Sequence, residues 1–500
     1  MKEKGKVRIN RFVRQTLTVC CLPLCCLLLI YLSEMLSENN TKMNGHLAPE
    51  KEKADSTSYL SNSKAKLAHT LEDGPETPYE PGEHRDFPHA LGTPGALFHM
   101  IKGSLGSGIL SMPVAFKNGG LWVSLVGALF IGVICTHCVH LLVLSSQTLS
   151  KKMRQPSLDY AGTAEAAFVT GPAKLRKYSV IVREFVDSAL MITYYFGTTV
   201  YIVFIASTTK QIVESHWNVD INPRLYVLMT ALVIVPVGSI RRLKFLVPFS
   251  FVAIIFLFIG CTFVLYEVFS DLPPFTSRPA FTSIQRLPLF YATVLFALEG
   301  IGTVLPIENV MKKPQHFLGC PGVLNVAMTV LVFIYTIMGF FGYLKYGEET
   351  AGSISLNLNS SVIGEVVKVL VALNVLCSYG LCFCVPSEIV WRKLNPRVRE
   401  ENKTRAYYTM RILMILSAVV VACALPDLEP FVGLCGAICY STLGLLFPSV
   451  IDLVTFWEDK EYMGPGRWKL YKNVFLMLMW LIALTAGTQA SVAKIVETYA

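Results

Sequence analysis

A few ionisable side chains lie inside long apolar segments of this sequence, and the chemistry open to them is the binding and release of a proton. His99 opens the apolar stretch HMIKGSLGSGILSMPVAFKN, and Glu299 lies within a second stretch, FALEGIGTVLPIEN. An imidazole with an ordinary pKa of about 6.5 changes charge near physiological pH. A carboxylate in the middle of a membrane span is costly enough to indicate a function. We therefore predict a functional role for Glu299, against the alternative of a paired structural role. His99 could carry a coupling proton, and the alternative for this lone histidine is a packing role; the two residues together are the candidates for proton coupling.

The same two stretches share a pattern of glycines followed by a proline. In order, these residues are Gly103, Gly106, Gly108 and Pro113 in the first stretch and Gly300, Gly302 and Pro306 in the second. Glycine weakens a helix and proline removes one of its hydrogen bonds, so we predict that both helices are broken. A broken backbone is tolerated within a bilayer only where it faces protein or a wet cavity. Paired breaks in two halves of a chain indicate the midplane site of a secondary transporter.

The predicted ligand of these breaks is an α-amino acid. Half-helix N-termini attract a carboxylate, and exposed carbonyl groups accept hydrogen bonds from an ammonium group. The alternative is a glycine-rich packing face, because small residues also let membrane helices approach closely. The predicted substrate-binding residues are Gly103, Ser104, Gly106, Ser107, Gly108, Glu299, Gly300 and Gly302.

The spacing of a cysteine- and histidine-rich segment excludes a metal site. Cys135, His137, Cys138 and His140 resemble metal ligands, but at about 100° per residue the two cysteines and the two histidines lie on roughly opposite faces of a helix. The sequence also lacks a phosphate-binding loop, a serine nucleophile elbow and a zinc-protease motif. We therefore predict no metal, no cofactor and no enzymatic activity.

The elements that must position these residues are membrane-spanning helices. The chain of 500 residues is 53% hydrophobic and only 16% charged, whereas a soluble chain carries about 25% charged residues. Its net charge of +9 gathers in loops, which indicates membrane topology rather than nucleic-acid binding. We predict an all-α polytopic membrane protein with eleven transmembrane helices, at about 94–116, 120–146, 181–208, 224–240, 245–268, 287–311, 321–344, 362–390, 407–425, 429–456 and 470–493.

Loop charge and composition predict the topology and the division of the chain. Lysines and arginines gather in alternate loops, at 151–177, 241–244, 312–313 and 392–405, and the positive-inside rule makes that side cytoplasmic. Residues 1–92 are then a cytoplasmic tail, mostly disordered, with an apolar segment at 17–32 that is a leader or an isoform-specific extension. Residues 93–500 form the transporter domain. Asn359 is predicted to be glycosylated on the other side.

Several motifs resemble the proton-coupled amino acid transporters of the amino acid/auxin permease group. They are HMIKGSLGSGILSMPVAFKNGG, HCVHLLV, FALEGIGTVLPIEN, ISLNLN and VPSEI, and the resemblance runs from Gly95 to the end of the chain. It implies a five-plus-five inverted repeat in which helices 1 and 6 are broken. It also implies symport of a proton with small neutral amino acids such as glycine, alanine or proline. The family's proton-coupling histidine lies in the pattern His-x-x-Lys-Gly, which His99 to Gly103 match.

The sequence thus predicts a proton/amino acid symporter that works by alternating access. The alternative is a pH-insensitive facilitative amino acid transporter that also acts as a nutrient sensor for growth signalling, with cytoplasmic signalling partners bound by its tail. The predicted partners are small neutral amino acids, protons and the lipid bilayer. The plasma membrane and the lysosomal membrane both supply the proton gradient that a symporter needs, and the sequence does not choose between them.

Overall fold

The computed structural model describes residues 79–85, 90–217, 221–241, 243–298, 300–359 and 361–499. The apolar segment at 17–32, most of the predicted tail and Glu299 lie outside the described residues. Within the described ranges the chain is almost wholly helical, and its β-structure is a single isolated bridge between Leu91 and Met311. The predicted all-α fold is confirmed.

Fifteen helices, numbered here in chain order, contain most of the described residues. They are α1 Thr93–Ser104, α2 Gly108–Gly119, α3 Leu121–Lys152, α4 Tyr160–Thr170, α5 Ser179–Trp217, α6 Pro223–Ser239, α7 Leu243–Phe269, α8 Leu287–Ala297, α9 Ile301–Asn309, α10 Gln315–Leu318, α11 Val323–Tyr346, α12 Val362–Leu394, α13 Lys403–Ala424, α14 Leu428–Thr455 and α15 Pro465–Thr498.

Length and composition make this a polytopic membrane protein. Nine described helices are long and apolar enough to cross a membrane when α8 and α9 are counted together, and α6 is a shorter apolar helix. The pair α1 and α2 occupies the first predicted span as two helices of 12 residues each. The count of eleven spans and the inverted repeat stay predictions.

The loops sort into two ends of the helical bundle. The basic end contains the end of α3, where Lys151 pairs with Glu80, the chain that follows it to α5, and the end of α12, where Lys393 pairs with Glu184. The opposite end contains residues 270–286 and 347–359. There Arg286 pairs with Glu348. Alternate loops thus meet at the same end, as the predicted arrangement of spans requires.

Helix α8 forms the centre of the bundle. Every residue from Leu289 to Ala297 is buried, as expected of a helix that is apolar on all sides. Helix α11 approaches α2 closely at two of its glycines. A Cβ atom at Gly339 would lie 2.5 Å from the ring of Phe116, and one at Gly342 would lie 2.6 Å from Pro113. This packing places α11 directly over the first broken helix.

Candidate functional site

The first predicted break lies between α1 and α2. Helix α1 ends at Ser104, Leu105 leaves helical geometry with φ −74° and ψ 87°, and the helix resumes at Gly108. The amide of Gly106 donates to the Ser104 carbonyl at 3.0 Å, which turns the chain tightly between the two halves. Ser107 is buried and immediately precedes α2. An α-helix leaves its first amide groups without acceptors of its own, so α2 begins with free donors at this break.

The second predicted break lies between α8 and α9. Helix α8 ends at Ala297 and α9 begins at Ile301, on either side of Glu299, which is not among the described residues. Thr303 closes the first turn of α9, because both its amide and its hydroxyl donate to the Gly300 carbonyl, at 3.0 Å and 2.8 Å. The chain therefore breaks at the glycines in both stretches.

The prolines lie inside the second halves of the broken helices. Pro113 is within α2 and Pro306 is within α9. Each removes one helical hydrogen bond without ending its helix. The expectation that proline contributes to the break itself is not met, because the helical geometry is lost at the glycine-rich segments that precede both prolines.

The two breaks pack directly against each other, with the beginning of one half-helix against the end of another. A Cβ atom at Gly108, the first residue of α2, would lie 2.7 Å from the Cα of Ala297 at the end of α8. A Cβ atom at Gly300, which precedes α9, would collide with the side chain of Ser104 at the end of α1. A Cβ atom at Gly103 would lie 3.3 Å from the Thr303 hydroxyl oxygen. Glycine is therefore required at Gly108, where two backbones meet, whereas Gly300 and Gly103 face side chains.

Polar side chains from other helices converge on the breaks, and sequence reasoning missed them. The hydroxyl of Tyr335 on α11 donates to the Ser104 carbonyl at 2.8 Å, in a buried position. On α5, the Tyr194 hydroxyl lies against Gly302, and the Tyr201 hydroxyl is 4.0 Å from the Cβ position of Gly106. Two helical turns separate Tyr194 and Tyr201, so both face the breaks from one side of α5.

The Ser104 hydroxyl is a buried polar group without a hydrogen-bond partner in the part of the chain that the structure describes. Its residue is 6% exposed, and its oxygen is the atom nearest the Cβ position of Gly300. A buried polar atom left unsatisfied costs about 1–3 kcal/mol. A ligand that hydrogen-bonds to this oxygen would recover that energy.

A cavity of about 30 Å³ adjoins the second break. Its walls include the backbone at Gly300, the ring of Tyr440 and Gly444. Helix α14 makes π-helical turns at Gly436–Tyr440 and Thr442–Leu446, and such turns frequently occur at functional sites. No described atom lies within 4 Å of a Cβ position at Gly444. The break thus has open space beside it, large enough in this conformation for a water-sized group.

His99 lies one turn before the first break but does not point into the bundle. Its side chain is on the exposed side of α1, next to Phe98 and in line with Gly103. Met100 and Ser104, on the other side of α1, are buried. The structure thus places the imidazole on the side of α1 opposite its buried packing.

The cysteines and histidines of α3 face different spaces, as their helical spacing predicts. Cys135 lines the cavity beside the second break. His137 and His140 line a groove between α3 and α11. Among the described residues no group of three or more histidine, cysteine, aspartate or glutamate side chains could hold a metal ion.

Residues 79–85 and 90–92, called here the N-terminal strap, cover the basic end of α9. The Arg85 guanidinium lies 3.3 Å from the Glu308 carboxylate, and the two side chains are 4% and 1% exposed. Gln147 donates to the same carboxylate at 3.0 Å. The bridge at Leu91 adds two backbone hydrogen bonds, from Leu91 to Val310 and from Lys312 back to Leu91. These contacts close the basic end over the second broken helix.

Replacing Tyr335 by phenylalanine is expected to lower transport activity by about three- to tenfold, because one hydrogen bond to the broken backbone, worth about 0.5–1.5 kcal/mol, is lost. Uptake by cells with matched surface amounts of each variant measures the effect. Tyr471→Phe is the matched control, since Tyr471 is 70% exposed on α15. Equal losses in the two variants would show that the Tyr335 hydroxyl does not support the site.

Comparison with known proteins places this architecture in a family. A model of the family described as transmembrane amino acid transporter protein matches residues 89–493. The chain is 37% identical over 422 residues to the proton-coupled amino acid transporter-like protein pathetic of Drosophila melanogaster, covering 84% of this chain and 89% of that protein. It is 26% identical over 414 residues to the probable amino acid transporter skat-1 of Caenorhabditis elegans, covering 81% of this chain and 90% of that one.

A solved structure, the inward-facing conformation of Mhp1, is similar at a TM-score of 0.49 and 13% identity, over 82% of this chain and 92% of that one. That similarity is too low to bear on substrate or coupling ion. The family match covers most of the chain and includes both broken helices. The chain therefore belongs to the transmembrane amino acid transporter family and is a transporter rather than an enzyme.

Proposed function

We propose that this amino acid transporter couples the movement of small neutral amino acids, such as glycine, alanine and proline, to the movement of a proton. The observation that carries the proposal is the contact between the two breaks, where Gly108 meets Ala297 and Gly300 meets Ser104. A helix N-terminus carries partial positive charge and a C-terminus partial negative charge. Each contact thus places a positive helix N-terminus, which attracts a carboxylate, beside a negative helix C-terminus, which attracts an ammonium group.

Close packing around the breaks supports a small substrate. Tyr194 and Ser104 already fill the space in front of Gly302 and Gly300, and the adjoining cavity has a volume of about 30 Å³. A bound amino acid must separate the two breaks slightly to enter, and each added side-chain atom widens that separation. We infer that Gly103, Ser104, Gly106, Ser107, Gly108, Gly300 and Gly302 contact the substrate.

We infer that His99 and Glu299 bind the coupled proton. His99 is exposed on α1 within one turn of Gly103, and we infer that it exchanges a proton with water while its helix moves. Glu299 belongs to the second break by sequence, and a carboxylate at membrane depth is functional by default. A relative that is 37% identical is named a proton-coupled amino acid transporter-like protein, which supports the same coupling here.

Alternating access requires the two ends of the bundle to open in turn. The strap and the buried pair of Arg85 and Glu308 hold the basic end closed. At the opposite end the Lys117 ammonium donates to the Thr350 carbonyl at 3.1 Å, which ties α2 to the loop before α12. We propose that substrate and proton bind while the opposite end is open, and that the strap then releases the basic end.

The basic end is proposed to face the cytoplasm, with the N-terminus on that side, in the plasma membrane or the lysosomal membrane. This orientation puts Asn359 outside the cytoplasm. Asn359 is exposed, and its amide donates to Glu267 at 2.6 Å, so attachment of a glycan there would have to displace that hydrogen bond.

Uptake by reconstituted protein at two external pH values, one on each side of the ordinary imidazole pKa of about 6.5, tests the proposal. Uptake of glycine, alanine and proline is expected to rise and to carry inward current as the external pH falls, because protonation precedes transport. His99→Ala is expected to remove this pH dependence while substrate still binds. His216→Ala, which changes a histidine at the opposite end that pairs with Glu365 at 3.3 Å, is the control.

Two results would contradict the proposal. Uptake that is equal at both pH values and carries no current would identify a facilitative transporter. Full acid-stimulated, electrogenic uptake by His99→Ala would show that the proton is carried elsewhere.

A further inference from the structure

A pocket of about 310 Å³ lies at the opposite end of the bundle, away from the breaks. Its walls come from the end of α5, the beginning of α6, the loop at 351–356 and the residues just before α14. Lys210 follows Tyr201 on α5 by nine residues, which is about 180° around a helix. Because Tyr201 faces the first break, Lys210 lies on the side of α5 that faces away from that break.

The pocket contains buried acceptor atoms that no described residue satisfies. The Gln211 amide nitrogen donates to the Leu356 carbonyl, whereas its side-chain oxygen Oε1 is buried and has no partner within the described ranges. Oxygen Oε1 of Glu214 is also buried and makes no hydrogen bond; it forms an ion pair with the Lys210 ammonium at 3.8 Å, which a ligand with both charges would have to separate. Asp427 lines the same pocket, and its carboxylate does not cap α14.

These groups match the two charged ends of an amino acid. A primary ammonium group has three N–H donors, which suits the unsatisfied oxygens of Gln211 and Glu214 together with the carboxylate of Asp427. The Lys210 ammonium is the complementary partner for a carboxylate. We propose that this pocket is a second binding site for an α-amino acid, distinct from the site at the breaks. The proposal rests on the proposed function, because the same solute occupies both sites.

Occupation of this pocket would restrain the opposite end. The loop at 351–356 and Asp427 form walls of the pocket, and the same loop follows Thr350, which Lys117 holds against α2. A ligand bridging α5, this loop and the start of α14 would stabilise the closed arrangement of all three. Transport is therefore expected to slow at amino acid concentrations that fill the second site.

Equilibrium binding of radiolabelled glycine, alanine and proline to the purified full chain tests the proposal. The unmodified chain is expected to bind two molecules, and the double variant Glu214→Gln, Asp427→Asn is expected to bind one. Gly108→Ala, which alters the site at the breaks, is expected to bind one molecule, in the pocket. Glu184→Gln makes the same chemical change at the basic end, where Glu184 pairs with Lys393, and is expected to bind two.

The site that each variant retains serves as a folding control, since a misfolded chain binds none. One site in the unmodified chain, an unchanged count in the double variant, or occupation of the pocket by sodium ions alone would each overturn the proposal. Acid-driven uptake is measured in parallel. Two binding sites without proton-coupled uptake would contradict the proposed function while leaving the second site in place.

Discussion

Replacing Gly108 by alanine is expected to reduce amino acid uptake by about fivefold to a hundredfold, because the added methyl group collides with backbone rather than with a movable side chain. The Cβ atom would lie 2.7 Å from the Cα and 2.9 Å from the carbonyl oxygen of Ala297. Overpacking of this kind costs about 1–3 kcal/mol, and about 1.4 kcal/mol corresponds to a tenfold change in an equilibrium. Radiolabelled uptake at matched surface expression measures the loss.

Gly95→Ala is the matched control for this substitution. Gly95 lies in α1, and its Cβ atom would meet only the end of the Leu91 side chain at 3.6 Å, an ordinary contact. Uptake by Gly95→Ala is expected to stay near that of the unmodified chain. Equal uptake by the two variants would show that the close approach of α2 to α8 is not required for transport.

Replacing Arg85 by alanine is expected to shift the transporter towards a conformation open at the basic end and to lower uptake. Removing one partner of a buried ion pair leaves an uncompensated charge, which costs about 3–5 kcal/mol. The Glu308 carboxylate, 1% exposed beneath the strap, would gain solvation only if the strap moved away. An energy of about 3 kcal/mol changes a population ratio by roughly a hundredfold, so even the lower value is enough to populate equally two conformations that differ by about a hundred to one.

Alkylation of a cysteine introduced at Val304 measures this opening. Val304 is fully buried on α9 and lies one turn before Glu308, so it is expected to label slowly in the parent and at least about tenfold faster after Arg85→Ala. The double variant Arg85→Gln, Glu308→Gln is expected to restore protection, because both neutral amides can still hydrogen-bond. Lys151→Ala, which breaks an exposed pair with Glu80, is the control.

Two outcomes would contradict this account of the strap. Unchanged labelling of Val304→Cys after Arg85→Ala would show that the ion pair does not hold the basic end closed. Faster labelling after Lys151→Ala to the same extent would show that any loss of positive charge in this region loosens α9, independently of the buried pair.

Local chemistry made the breaks predictable from the sequence. Glycine lowers the cost of leaving helical geometry at its own position, and Gly106 and Gly300 lie within the observed breaks. The prolines were less informative, because Pro113 and Pro306 each sit within a continuous helix. A missing hydrogen bond does not determine where a helix ends when the flanking turns remain packed.

The sequence by itself also determined the membrane class, the helical fold and the grouping of charged loops, since each depends on composition and period. The tertiary structure alone decided which groups meet. Tyr335 and Ser104 are 231 residues apart and Arg85 and Glu308 are 223 apart, and no local pattern encodes contacts at such separations. The environment of His99 was equally beyond prediction from the sequence. The helical period places His99 on one face of α1, but only the packing of the other helices decides which face is buried.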